Sequence, residues 1–197
     1  MLRETILKIK EKALQNHVPI VRDKTIQCII DILKNSNICS ILEIGTAVGY
    51  SGIVMLANSQ ASLTTIEKNE DRVKEAQINF KSCGLVDRVT QIQGDAQEEI
   101  EKLVLSKSKF DFIFLDGPKG QYIKYYPFLK QLLNQKGVLF ADNILVGGLL
   151  EDETRVNHKN RAMVRNMKLF LKTLQNDIDF DTKLYKIDDG FSISQLI

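Results

Sequence analysis

The stretch Ser40-Ile41-Leu42-Glu43-Ile44-Gly45-Thr46-Ala47-Val48-Gly49-Tyr50-Ser51 runs from a short apolar segment, through a turn of small residues, into a helical stretch. The apolar run closed by small residues reads as a β-strand over Ser40–Ile44, and the helix as residues 51–58. Small side chains in the turn let backbone approach a bound molecule, and the helix start presents unpaired N–H groups. A polar ligand is therefore expected at this turn, with Glu43, Gly45 and Ser51 among the residues that serve it. A dinucleotide fingerprint needs glycine at its first, third and sixth positions, whereas the turn has Gly45, Ala47 and Tyr50. A pyrophosphate cradle is thus poorly supported.

Downstream the same alternation recurs. Strands are expected at 63–66, Val89–Gln93, Phe110–Leu115 and 137–141, separated by helical patterns near 70–83, 96–105 and 120–133. Near-continuous apolar strands between amphipathic helices imply an α/β fold, in which a parallel sheet is covered on both faces and joined by right-handed crossovers. A further helix over about 158–175 precedes strands near 180–187 and 190–196. Asp189-Gly190 joins these as a hairpin turn, which gives seven strands with an antiparallel end. Upstream, Leu2, Ile6, Ile9, Ala13 and Leu14 share one stripe of a first helix, and a second helix covers about 24–33. One domain spanning 1–197 is expected, with the N-terminal helices in 1–36 and the core in 37–197.

Composition narrows the class. The chain has 197 residues, 44% of them hydrophobic and 26% charged, which is enough to bury an ordinary globular core. A formal charge of +2 gives no whole-molecule field for nucleic acid or an anionic membrane, so any such partner must be met by a local cluster. Cys28, Cys39 and Cys83 form no CxxC pair, which points to a reducing compartment rather than a disulfide framework or a cysteine zinc site. The charged N-terminus resembles neither a signal peptide nor a membrane span, so a cytoplasmic protein with no membrane partner is expected.

The ends of the second and third strands add to the ligand loop. Glu67 follows the loop glycine by about twenty residues, where an acidic side chain in this architecture accepts hydrogen bonds from ribose hydroxyls. Asp95, in Gly94-Asp95-Ala96, suits an adenine amino group, and the Ala96 backbone offers the ring a further hydrogen bond. Each acidic residue taken alone is equally well a solvated helix cap. Together they line one crevice suited to a nucleoside.

The fourth and fifth strands end in Leu115-Asp116 and Ala141-Asp142-Asn143. Neighbouring strands lie about 4.8 Å apart, so oxygen side chains at their ends can converge on one ion. Hard oxygen ligands without His or Cys favour Mg²⁺ or Ca²⁺ over zinc, and Mg²⁺ is the expectation. The bland alternative is a pair of exposed strand-end turns.

In LEIGTAVGYS, GDA, FLDGPKGQY and ADN the chain resembles the class I methyltransferases of Rossmann-like fold, and among them the metal-dependent O-methyltransferases of the catechol and caffeoyl-CoA type. The loop, carboxylate and GDA pattern covers residues from about 41 to 142. The resemblance implies S-adenosylmethionine as methyl donor, held by Val21, Ser51, Glu67, Ala96 and Asp116. It also implies a cation on Asp116, Asp142 and Asn143, and a homodimer. Lys119 stands where catechol-type members carry a proposed general base. A dication and a helix N-terminus would both disfavour its ammonium form, yet a lysine that only positions substrate is an equal reading.

Within this family, the segment 16–21, Lys119-Gly120-Gln121-Tyr122, Asn160-Arg161 with Met163-Val164, and the ending Asp189-Gly190-Phe191-Ser192-Ile193-Ser194 are most similar to bacterial tRNA 5-hydroxyuridine methyltransferases. That resemblance implies methylation at the wobble position in the anticodon region, where a 5-hydroxyl and a 4-oxo group offer the metal two neighbouring oxygens. Arg161, Arg165, Lys168 and Lys172 share one face of the late helix and suit an RNA backbone, although basic solvated faces are common. Of Tyr122, Tyr125 and Tyr126, at least two are expected to pack the helix, and Tyr122 is the candidate for stacking on a base. The remaining alternatives are a small catechol-like or acyl-CoA-linked phenol as acceptor, and a noncatalytic RNA-binding module.

Overall fold

The computed structural model describes residues 2–197, which cluster into two compact units divided between Glu99 and Ile100. The first unit holds helices α1 (Leu2–Gln15) and α2 (Asp23–Asn35), strand β1 (Ser40–Ile44), α3 (Tyr50–Ala57), β2 (Ser62–Glu67), α4 (Glu70–Ser82) and β3 (Val89–Gln93). Its strands run in the order β3-β2-β1, all parallel, with Ile44 level with Ile66 and Glu67 level with Gln93. Ile41, Leu42 and Ile44 are fully enclosed, as a strand covered on both faces requires. Helix α3 is buried along nearly its whole surface, from Tyr50 to Leu56, which explains why its sequence is apolar all round rather than striped.

Helix α5 (Ala96–Leu105) leads into the second unit: β4 (Phe110–Leu115), α6 (Tyr122–Leu132), β5 (Leu133–Asp142), α7 (Arg161–Asn176), β6 (Phe180–Tyr185) and β7 (Phe191–Leu196). Here the order is β4-β5-β7-β6, with β4 and β5 parallel and the last two strands antiparallel, as the Asp189-Gly190 turn signal implies. Phe112, Ile113, Phe114, Leu115, Leu139, Phe140 and Ala141 are all completely buried. Phe140 stacks on Phe191 with ring centroids 4.8 Å apart, and Phe191 in turn on Tyr185 at 5.0 Å. The two fully buried rings, Phe140 and Phe191, each contribute about 1.5–3 kcal/mol through burial. At the outer edge β6 exposes Asp181 and Lys183, charges that blunt pairing with another strand.

Three boundaries differ from the sequence expectation. Strand β5 begins at Leu133 rather than 137: Leu133 pairs with Phe110, and the polar run Asn134-Gln135-Lys136 falls in the register shift before Val138 pairs with Phe112. Helix α6 starts at Tyr122, since Lys119–Gln121 forms a 3₁₀ turn. Helix α7 starts at Arg161 rather than 158: Asn157 Oδ1 accepts the Lys159 N–H at 2.9 Å, and Asn160 Oδ1 accepts the Asn157 N–H at 2.8 Å, so the side chains close a turn first. In α1 only Ile9 and Ala13 of the expected stripe are buried, whereas Leu2, Leu7 and Leu14 face solvent. No helix among the described residues is long and apolar enough to cross a membrane.

Candidate active site

In the first unit the loop after β1 departs from ordinary backbone at every second residue: Gly45, Ala47 and Gly49 have φ of 103°, 46° and 81°. Only glycine adopts the first of these without strain. The Gly45 N–H donates to Ile66 O at 3.0 Å, which fastens the loop across the end of β2. The Ala47 N–H reaches Glu67 Oε2 at 3.0 Å and the Asn69 N–H reaches Glu67 Oε1 at 2.9 Å. Two backbone donors thus fix the Glu67 carboxylate, whose oxygens each keep a further acceptor site for a ribose hydroxyl.

Glu43 lies beneath this loop. It is completely buried, and its carboxylate accepts hydrogen bonds from the hydroxyls of Ser51 and, at 2.6 Å, of Thr65. Thr46 Oγ1 lies 2.5 Å from Thr65 Oγ1 and extends the network. Glu43 and Ser51 therefore brace the loop from within. Asn79 of α4 adds an outer tie, its side-chain amide donating to Val48 O at 2.8 Å. Thr46, Thr65 and Asn79 escaped the sequence reading because a lone hydroxyl or amide in a strand or helix carries no pattern.

Asp95 takes up the helix-cap role open to it in sequence and adds an ion pair. Its Oδ1 accepts the Gln97 N–H at 3.0 Å at the start of α5, while its Oδ2 pairs with Lys68 Nζ at 3.0 Å. The Lys68 ammonium, then the Gln97 N–H, hold its carboxyl below the usual carboxylate range. Gly94 N donates to Glu67 O at 3.0 Å, so the GDA turn sits directly beside the end of β2. Val21 is buried between α1 and α2.

In the second unit Leu115 is level with Ala141, which places Asp116 and Asp142 as the next residues at the same edge of β4 and β5. Asp142 is almost fully enclosed, and burial, followed by the negative charge of Asp116, pushes its carboxyl up to about 7. The Asn143 N–H, 2.8 Å from Asp142 Oδ1, and the charge of Lys119 act against that rise. Lys119 Nζ is bonded to Asp116 Oδ1 at 2.6 Å and to the Tyr122 hydroxyl at 3.0 Å. Asn143 stands in the left-handed region at φ 54°, so the chain turns immediately after the two strand-end oxygens.

Among the described residues no three His, Cys, Asp or Glu side chains gather as a metal cluster. What β4 and β5 present is two carboxylates that repel each other, with the Asn143 amide next in sequence. This hard-oxygen set fits a dication, which would offset the burial and the Asp116 charge that raise the Asp142 carboxyl. In the structure Lys119 supplies that positive charge.

Tyr122 corrects the expectation of a base-stacking side chain. Its ring is completely buried and meets Phe170 edge-on at 5.5 Å, so it offers no face to a ligand. Its hydroxyl lies 2.9 Å from Leu115 O and 3.2 Å from Asp142 O, bridging the two strands where they yield their acidic residues. Tyr125 and Tyr126 are buried as packing residues. Arg161 and Arg165 are exposed on α7, over a buried row of Val164, Met167, Phe170 and Leu174. From the same helix the Asn166 side-chain amide donates to Gly120 O at 2.9 Å, which fastens the basic helix to the turn carrying Lys119. Asn166 was invisible among the charges in sequence.

Comparison with known proteins bears on this arrangement. The family model for O-methyltransferases matches residues 2–197. Catechol O-methyltransferase of Sus scrofa is 32% identical over 155 residues, spanning 74% of this chain and 82% of that protein. A Staphylococcus aureus protein provisionally assigned as a caffeoyl-CoA O-methyltransferase has a crystal structure that superposes with a TM-score of 0.89, at 33% identity over 97% of this chain and 91% of that one. An O-methyltransferase from Bacillus cereus, solved in complex with SAH, shares the fold at a TM-score of 0.88 and 22% identity, over 98% of this chain and 91% of that one. The seven-stranded mixed sheet with its antiparallel C-terminal hairpin is thus the Rossmann-like methyltransferase fold.

Proposed function

Because the chain belongs to the O-methyltransferase family of the catechol and caffeoyl-CoA type, we propose that it transfers the methyl group of S-adenosylmethionine to the 5-hydroxyl of 5-hydroxyuridine at the wobble position of tRNA. The product is 5-methoxyuridine: an O–CH₃ bond forms, the S–CH₃ bond breaks, and the hydroxyl proton leaves. One observation carries the choice of acceptor. The basic helix with exposed Arg161 and Arg165 is fastened through Asn166 and Gly120 to the same turn that carries Lys119.

On the donor side, Glu67 would take the ribose hydroxyls, Asp95 and the Ala96 backbone the adenine, and Gly45 the close approach of backbone to ligand. Glu43 and Ser51 keep that loop in shape and Val21 adds a contact. Asp116, Asp142 and Asn143 would hold Mg²⁺, which supplies Lewis acidity to two neighbouring acceptor oxygens. Lys119, bonded to Asp116 and Tyr122, would orient the acceptor or, as the neutral amine, receive its proton. The protein is read as a cytoplasmic homodimer, with the solvent-facing Leu2, Leu7 and Leu14 of α1 available for the contact between copies.

A second reading follows from the catechol O-methyltransferase relative: a small catechol-like or acyl-CoA-linked phenol as acceptor. Incubation with labelled S-adenosylmethionine, Mg²⁺ and tRNA bearing 5-hydroxyuridine is expected to label the tRNA. Turnover of a simple catechol with no label in tRNA would reverse the choice, and tRNA binding with no transfer to either would leave a noncatalytic RNA-binding module.

A further inference from the structure

Strand β5 ends in a loop that is strained and yet firmly held. After Asp142 the backbone enters the left-handed region at Asn143 (φ 54°), Val146 (55°), Gly147 (65°) and Gly148 (80°). Asparagine and glycine tolerate this region, but a β-branched valine persists there only when its surroundings impose it. Those surroundings come from the β6–β7 turn. The Ile144 N–H donates to Gly190 O at 2.9 Å, the Leu145 N–H to Asp189 O at 2.9 Å, and the Gly147 N–H to the Asp189 carboxylate at 2.8 Å. Gly190, at φ 71°, brings the turn so close that a Cβ there would lie 2.5 Å from Leu145 Cγ. The clamped loop is otherwise anchored by buried Ile144 and Val146.

We infer that Asp189 is a positioning residue: by capping the Gly147 N–H it locks the left-handed loop, and so fixes where the Asn143 amide is presented beside Asp142. The inference rests on Asp116, Asp142 and Asn143 being the cation site. Asp189 acts through the loop it holds, and its charge also reaches the Asp142 carboxyl. What it supplies is one acceptor oxygen at the point where the loop is most strained, with β7 holding the turn level, since Asp142 pairs with Phe191.

The test uses the whole protein with Asp189→Ala and Asp189→Asn. Asparagine keeps a carbonyl oxygen for Gly147, and alanine removes it. In Asp189→Ala, amide exchange across residues 143–148 is expected to quicken. Affinity for Mn²⁺, read by water-proton relaxation as a probe of the cation site, is expected to fall about tenfold or more. S-adenosylmethionine affinity, for which the proposed contacts at Glu67, Asp95 and Ala96 lie in the first unit, should change little. Asp189→Asn should restore both exchange protection and Mn²⁺ affinity. Unchanged exchange and Mn²⁺ affinity in Asp189→Ala would overturn the inference, as would equal losses of Mn²⁺ and S-adenosylmethionine binding with a lowered melting temperature, the mark of general unfolding. Faster loop exchange in Asp189→Ala, with no Mn²⁺ uptake even by the wild type, would uphold the clamp and overturn the cation reading instead.

Discussion

At the scale of single residues, Asp142 and Tyr122 do the most to define the acceptor side. The Asp142 carboxyl is raised to about 7, so in the cation-free protein the folded state holds a proton that the unfolded chain, with an ordinary carboxyl near 4, has already released at neutral pH. Stability from this group is therefore full below about pH 4 and is lost as pH rises through 7. Thermal unfolding of the metal-free protein should show a melting temperature that falls between pH 5 and 8, with the fall much reduced in Asp142→Asn; an equal slope in both would remove the raised carboxyl. Tyr122→Phe keeps the packing against Phe170 but deletes the hydroxyl that bridges Leu115 O and Asp142 O. Denaturant titration is expected to show a loss of about 1–3 kcal/mol, the usual cost of unpairing buried polar groups. Turnover should drop as well, because Lys119 loses one of its two anchors. The sequence marked Asp116 and Asp142 by strand-end position and Lys119 by resemblance to the family, but it could not mark Tyr122 correctly. Aromatic spacing is the same for a stacking ring as for a buried one, and only the rest of the fold decides between them.

Among elements, β1, β2, β4 and β7 were legible because apolar runs closed by small or acidic residues leave a strong period. The long start of β5 was not, since Asn134, Gln135 and Lys136 fall in the register shift between the Leu133 and Val138 pairings and carry no apolar signal. Helix α7 was read correctly as two-faced, with Val164, Met167, Phe170 and Leu174 buried and Arg161 and Arg165 exposed. Whether that exposed face does more than solvate the helix is an electrostatic question. Arg161→Ala with Arg165→Ala should weaken tRNA binding, most at low salt, and should reduce the slope of affinity against salt by about two phosphate contacts. Filter binding across a salt series reads both; equal affinity at every concentration would return α7 to a packing role. Asn166 shows why this link escaped the sequence: one amide joins α7 to the Lys119 turn, and a single polar residue has no periodicity.

For the whole molecule, the order of motifs along the chain separates two tasks. On the proposed reading the first unit carries the loop, Glu67 and Asp95 for a nucleoside donor, and the second the carboxylate pair, Lys119 and the basic helix for an acceptor. A nearly neutral chain with one cationic helix face suits a substrate that is charged but met locally. A nucleoside crevice and a strand-end oxygen site were readable from Gly45, Glu67, Asp95 and Asp116, because backbone turns and strand-end carboxylates leave fixed spacings, whereas the donor and the reaction class came from resemblance to the family. The acceptor was read from resemblance and from the charges of α7, since the shape that selects an oxygen nucleophile arises from residues distant in sequence. Mass analysis of tRNA nucleosides from cells with and without this protein tests that acceptor directly. Loss of 5-methoxyuridine with accumulation of 5-hydroxyuridine is the expected result, and unchanged amounts of both would contradict it.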